Sequence, residues 1–174
     1  MRNIFRPAYY YPDVFSIVPE RLLARGIKLV LLDMDNTLVS AVDTEIPDRV
    51  KEYVRALKKA GIRPVVMSNN VSTITEKRCR QLDIDFCSFC VKPLKTAYKK
   101  ILKRYECTVE DTVAVGDQVL TDIAGANRMG ITTILVDPLS NDNNIFGRGV
   151  KIISRLLCTL LKNMPKKGEY YGEL

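Results

Sequence analysis

The sequence predicts an α/β fold, a three-layer sandwich with a central, mainly parallel sheet of five strands between two layers of helices. Three observations predict it. Short, nearly continuous apolar runs recur along the chain, as expected for strands buried on both faces. Each run gives way to a stretch with apolar residues at spacings of three, four and seven, the period of an amphipathic helix. Strands alternating with helices in this way form parallel neighbours joined by right-handed crossovers.

The elements follow in order. Residues 1–26 read as an N-terminal arm, with Tyr9-Tyr10-Tyr11-Pro12 extended and a short helix over 19–25. Strand 28–33 is Lys-Leu-Val-Leu-Leu-Asp. Helix 48–60 carries Val50, Tyr53, Val54 and Leu57 on one face, and Gly61 ends it. Strand 63–68, helix 72–81, strand 86–91 and helix 94–105 come next, and Pro93 suits the abrupt start of the last. Strand 112–115, helix 120–129 and strand 131–136 complete the core. Pro138 and the stretch 141–144 mark a turn-rich loop, and 148–163 reads as one more helix. The 174 residues form a single domain: an arm over 1–26, a core over 27–140, and a basic amphipathic helix and tail over 141–174.

Composition narrows the class. At 47% hydrophobic and 27% charged residues, the chain is that of an ordinary globular domain. No run approaches the roughly 18 apolar residues of a membrane span, and the start, Met1 to Pro7, lacks the long apolar region of a secretory signal. A cytoplasmic location is the expectation. Five cysteines (79, 87, 90, 107 and 158), an odd set mostly inside apolar segments of an expected cytosolic domain, argue against a disulfide framework, and the lack of histidine argues against a zinc site. Cys87 and Cys90 have C-x-x-C spacing, but inside a strand-like run, so small core residues are favoured over a zinc site. The net charge of +7 concentrates in Lys92, Lys95, Lys99, Lys100, Lys103 and Arg104, and again across 148–167. Either stretch can meet nucleic acid, anionic lipid or solvent.

The chemistry lies in four polar islands: Asp33-Met34-Asp35-Asn36-Thr37, Ser68-Asn69-Asn70, Lys92-Pro93, and Gly116-Asp117-Gln118 with Thr121-Asp122. Each falls at the end of an expected strand, and consecutive parallel strands end on one edge, where a phosphate site can be assembled. Asp33 is the candidate nucleophile, since a carboxylate can attack phosphorus directly. Asp35, two residues on, is placed to protonate the leaving alkoxide and later to activate water. A divalent cation must offset the repulsion between these acids and a phosphate dianion. Asp33, Asp117 and the region of Asp35 can supply hard oxygen ligands for Mg²⁺, with Asp122 as an auxiliary acid. Thr37, Ser68, Asn69 and Lys92 are the candidate phosphate-binding groups. Gly116 lets the backbone come close to the metal site. Taken singly, each island also reads as a turn, a helix cap or a solvated lysine.

Together the islands resemble the haloacid dehalogenase (HAD) superfamily, whose motifs read D-x-D-x-T, then Ser or Thr, then Lys, then an acidic pair. The resemblance implies a HAD-like Rossmannoid sandwich, and the Asp two residues after the nucleophile marks the phosphatase branch. The stretches from Asp35 to Pro64 and from Asn70 to Lys92 are too short for a cap domain, as in the capless subfamily IIIA. Gly26-Ile27-Lys28, Asp33 to Val39, Ser68-Asn69-Asn70, Lys92-Pro93, Gly116 to Asp122 and Gly125-x-Asn127-Arg128 resemble the bacterial YqeG-type phosphatases. That group is similar to phosphatidylglycerophosphate phosphatases, which implies a phosphomonoester substrate, an anionic lipid phosphate among the candidates. In those eukaryotic relatives a Lys commonly follows the first Asp and an Arg follows the Gly-Asp pair; here Met34 and Gln118 stand there.

Residues 150–162 bear on the lipid reading independently. Ile152, Ile153, Leu156, Leu157, Leu160 and Leu161 share one broad helical face, with Lys151, Arg155 and Lys162 opposite. Such a helix suits peripheral contact of 148–167 with the inner face of an anionic membrane; packing on the sheet with a solvated basic face is the alternative. A soluble-metabolite or macromolecular phosphatase, and a non-catalytic RNA-binding protein, are the competing functions. The complete acidic set speaks against the last, so nucleic acid is not an expected partner.

Overall fold

The structure is a computed structural model and describes residues 3–40, 43, 45–69, 72–87, 91–140, 168–172 and 174. Six strands, all parallel, form one sheet: β1 (Tyr9–Tyr11), β2 (Leu29–Leu32), β3 (Arg63–Met67), β4 (Asp85–Cys87), β5 (Thr112–Gly116) and β6 (Thr132–Val136). Their spatial order is β1-β6-β5-β2-β3-β4. The chain builds outward from β2 through β3 to β4, then crosses back to place β5 on the other side of β2. That reversal opens a crevice beside β2, the usual ligand position in such sheets.

Alternation along the strands divides the core into two layers. Val30, Leu32, Val66, Val113, Val115, Ile134 and Val136 pack with the helices α2 (Asp48–Lys59) and α3 (Thr73–Leu82). Leu29, Leu31, Val65, Met67 and Ala114 pack on the other face against α4 (Lys95–Tyr105) and Ala126. The stripe expected on α2 is buried as Val50, Tyr53, Val54 and Leu57. Gly61, at φ +77°, ends the helix by turning the chain so that the Ile62 amide reaches the Leu57 carbonyl at 3.0 Å.

The five-strand expectation is one short. Tyr9–Tyr11, expected to be an extended arm, pairs with Ile134–Val136 as the edge strand β1, and α1 (Pro19–Ala24) follows it. Three successive β-favouring tyrosines fit this role. The edge does not stay open, because Tyr171 pairs antiparallel with Tyr10 through amide–carbonyl bonds of 3.0 and 3.1 Å. The Tyr10 and Tyr170 hydroxyls both donate to the Asp137 carboxylate.

Two further differences are local. The helix expected over 120–129 is a wide π-helical turn, Val119–Ile123, leading into the short α5 (Ala124–Asn127). The Gln118 carbonyl accepts from both the Asp122 and Ile123 amides, at 3.0 and 3.3 Å. The expectation that the cysteines avoid disulfides fails at Cys87, which is disulfide-bonded; it is only half-buried at the end of an edge strand, so its sulfur is not sealed in the core. Cys79 and Cys107 are free thiols, and Cys79 is buried as expected. The helix expected over 148–163 lies outside the described residues. Among the described residues no helix is long and apolar enough to cross a membrane.

Candidate active site at the carboxyl edge of the sheet

Strand register assembles the site. Leu32 is level with Val66 on one side and Val115 on the other. The chain therefore leaves the sheet at one level when it reaches Asp33, Ser68 and Asp117. Asp33 is 7% exposed, Ser68 is buried, and Thr37 is fully buried. The turn between them depends on Asn36, which sits at φ +64°, a conformation asparagine tolerates better than most residues. The Met34 carbonyl accepts from the Leu38 and Val39 amides, at 3.1 Å each. From outside, the Asn36 carbonyl accepts from the Leu139 amide at 2.9 Å, and its side chain accepts from the Ser140 hydroxyl at 2.6 Å.

Lys92 is the electrostatic centre. It is 6% exposed, and its Nζ lies 2.5 Å from Asp33 Oδ1 and 2.6 Å from Asp122 Oδ1. Asn69 fixes the backbone of Lys92 from both sides: its Oδ1 accepts from the Lys92 amide at 2.7 Å, and its Nδ2 donates to the Lys92 carbonyl at 3.1 Å. The second Asp122 oxygen accepts from the Gln118 amide at 3.0 Å. The π-helical turn thus has a use, because it brings Asp122 back toward the sheet edge; such irregular turns are frequent at functional sites.

Asp117 completes an acidic cluster. Asp33, Asp117 and Asp122 each offer a carboxylate oxygen within 4.8 Å of the others. Asp117 Oδ1 is buried without a hydrogen-bond partner, and a buried acceptor left this way is costly. Three carboxylates face one ammonium, so negative charge is in excess. Burial pushes Asp33 up to about 7; Lys92 opposes this, and Asp122 and Asp35 add to it. Burial, then the charges of Asp33 and Asp122, hold Asp117 well above the ordinary carboxylate range. Burial disfavours the Lys92 ammonium, but Asp122 and Asp33 outweigh it and keep the lysine charged. A cluster of hard oxygens with an orphaned carboxylate oxygen and surplus negative charge fits a divalent cation.

Gly116 has a steric reason to be glycine, since a Cβ there would overlap the Asp122 carboxylate. We expect Gly116→Ala to push Asp122 off Lys92 and to lower turnover roughly 30- to 100-fold. Steady-state assays at saturating metal check this, and an unchanged kcat would refute it.

Asp35 stands apart from the cluster. Its Oδ1 accepts from Arg78 Nη1 at 3.2 Å, while Arg78 Nη2 donates to the Asp43 carbonyl at 2.5 Å. Sequence reasoning missed Arg78. A signal was present: α3 buries Thr75, Arg78, Cys79 and Leu82 at helical spacing, so an arginine occupies the core stripe, and a buried charge needs a partner. We expect Arg78→Ala to lower kcat roughly 10- to 100-fold with a smaller change in KM, by releasing Asp35 from its position. Arg78→Lys, which keeps the charge, should restore part of that loss.

The expected site residues thus fall into two groups on one sheet edge. Asp33, Lys92, Asp117 and Asp122 make the cluster, and Asn69 holds Lys92. Asp35 is held from α3. Thr37 and Ser68 are buried beside the strand ends, and Thr37 Oγ1 has no hydrogen-bond partner. A groove of about 600 Å³ at the opposite ends of β3 and β4 is lined by Lys58, Arg63, Arg80, Asp83 and Asp85. Its Lys58 pairs with Asp83 and its Arg80 with Glu76.

Comparison with known proteins agrees with this geometry. Residues 89–138 match the HAD-hydrolase-like family model. The chain is 32% identical over 173 residues to the probable phosphatase YqeG of Bacillus subtilis, covering 99% of both chains. It is 28% identical over 177 residues to phosphatidylglycerophosphate phosphatase 1, chloroplastic/mitochondrial, of Arabidopsis thaliana, covering 96% of this chain and 50% of that one. The fold also matches the 3-deoxy-D-manno-octulosonate 8-phosphate phosphatase of Moraxella catarrhalis, solved with magnesium, phosphate and its sugar, with a TM-score of 0.50. That match is at 16% identity and covers 83% of this chain and 92% of the other. With its four motifs on one sheet edge and full-length likeness to YqeG, the chain belongs to the HAD-like hydrolases as a phosphatase of the YqeG type.

Proposed function

We propose that this phosphatase is a Mg²⁺-dependent phosphomonoesterase that works through an aspartyl-phosphate and acts on phosphatidylglycerophosphate. The observation that supports it most is the contact of Lys92 with both Asp33 and Asp122, beside the unpartnered Asp117 oxygen. Asp33 attacks phosphorus and Asp35 protonates the departing alkoxide; Asp35 then takes a proton from the water that cleaves the aspartyl-phosphate. Lys92 offsets charge on the equatorial phosphoryl oxygens, while Thr37 and Ser68 donate hydrogen bonds to them. Asn69 keeps Lys92 in place. Asp33 and Asp117, with the backbone near Asp35 and with Asp122 beside them, would hold the magnesium, which supplies Lewis-acid charge compensation when bound.

The lipid substrate draws on the Arabidopsis relative's name, and peripheral contact of residues 148–167 with the inner membrane face belongs to the same reading. Met34 and Gln118 favour the other reading, a soluble or macromolecular phosphomonoester, because they depart from the lipid relatives' pattern. A Mg²⁺ turnover screen decides between them by comparing phosphatidylglycerophosphate in anionic vesicles with sugar phosphates and nucleotides. A higher kcat/KM for the lipid supports the proposal, and a soluble monoester turned over faster overturns its lipid part.

A further inference from the structure

The edge of the sheet that holds the acidic cluster also carries exposed apolar side chains. Ile74 is 60% exposed, Val91 59% and Leu94 53%. Their places in the fold put them on one side of the site's mouth. Ile74 lies in the first turn of α3, which starts just after β3 releases Ser68 and Asn69. Val91 and Leu94 flank Lys92 and Pro93, and the Leu94 amide donates to the Val91 carbonyl at 2.8 Å, closing a turn between them. The grip of Asn69 on the Lys92 backbone joins the two loops. None of the three aliphatic residues has a role in the cluster.

Their surroundings are basic. Lys77 on α3 and Lys95, Lys99 and Lys100 on α4 are all exposed. Across 72–79 and 91–100 the acid present is Glu76, which Arg80 engages at 2.7 Å. Exposed aliphatic side chains with exposed lysines close to them in sequence match an anionic bilayer, where the former enter the acyl boundary and the latter meet the headgroups. Ile74, Val91 and Leu94, the exposed residues of this rim, are aliphatic rather than the aromatic and arginine anchors that dominate protein hot spots.

We propose that Ile74, Val91 and Leu94 form a membrane-docking rim that seats the mouth of the site on an anionic bilayer. The inference builds on the phosphatase reading of that edge and adds how a phosphate at a bilayer surface would reach Asp33. It uses residues distinct from 148–167.

The test is co-sedimentation of the full chain with phosphatidylcholine vesicles with and without phosphatidylglycerol, alongside hydrolysis of p-nitrophenyl phosphate. The expected result is salt-sensitive binding to the anionic vesicles. Replacing all three (Ile74→Ser, Val91→Ser, Leu94→Ser) should weaken binding by roughly tenfold or more while soluble turnover stays within about twofold. Ile74→Ser alone, away from the Lys92 loop, should give a smaller loss of the same kind. The rim is overturned if the parent chain ignores anionic vesicles, or if the triple variant binds them as well as the parent. It is also overturned if the triple variant abolishes a concentration-dependent dimer without touching vesicle binding, which would assign the patch to a second copy. Turnover of phosphatidylglycerophosphate in detergent without vesicle binding would sink the rim and leave the substrate proposal standing. Rim-dependent vesicle binding without lipid turnover would do the reverse.

Discussion

Turnover of any good phosphomonoester is expected to fall by roughly 10³–10⁴-fold in Asp33→Asn, while the metal-free protein becomes more stable than its parent above about pH 7. Both effects come from the same carboxylate. Asparagine can still accept from Lys92, so the local geometry survives, but it cannot form the bond to phosphorus. A loss well short of several thousand-fold would remove Asp33 from the role of nucleophile.

The stability half follows from the charge count. In the folded chain Asp33 keeps its proton up to about pH 7, whereas the unfolded carboxyl loses it near 3.9. Between those values the native state binds more protons than the unfolded state, so stability falls as pH rises through the window. Above it the full cost of an ionised Asp33 beside Asp122 and Asp117 is present. The asparagine variant has no such proton, so its profile is flatter and lies above the parent's at about pH 8. Magnesium should reverse the order, because it binds the ionised cluster, releases protons and stabilises the parent more than the variant. Thermal denaturation in chelator and in Mg²⁺ across this pH range reads all of it. A variant less stable than the parent at high pH without metal would show that the carboxylates are not in electrostatic conflict.

Much of this site was legible because two independent patterns coincide. Strands buried on both faces must be apolar, so the first polar residue after each run marks the sheet edge, and parallel register levels those edges. Asp33, Ser68 and Asp117 could be read for that reason. Arg78 could not be read so directly, because on a helix otherwise rich in charge an arginine passes for a solvated one until the buried stripe is drawn. β1 was missed because its partner, Ile134–Val136, lies far along the chain and a three-residue strand carries almost no periodicity. The π-helical turn was missed because apolar spacing over 120–129 does not distinguish one extra residue in a turn. Asp122, whose role the sequence leaves open, is brought onto Lys92 by that turn.

Removing the shared cation should produce the other large effect. Lys92→Met keeps the aliphatic stem and deletes the charge, which leaves Asp33 and Asp122 facing each other in a site that is 7% and 4% exposed. Breaking a buried pair by taking one partner typically costs about 3–5 kcal/mol, and that loss is expected for the metal-free fold above about pH 7, where Asp33 is ionised. Turnover should fall roughly 10²–10³-fold, since no other described side chain is placed to offset charge on the phosphoryl group from that side. Magnesium should recover part of the stability and little of the rate, because it can neutralise the carboxylates but cannot occupy the ammonium's position. Acidification separates electrostatics from packing. Without the lysine Asp33 takes up its proton at a higher pH than in the parent, so the stability gap between parent and variant should narrow as pH falls toward about 7. A packing defect would leave that gap constant. A Lys92→Met protein that hydrolyses phosphomonoesters at the parental rate, or whose lost stability ignores pH, would show that Lys92 is a structural residue and that charge on the phosphoryl group is offset elsewhere.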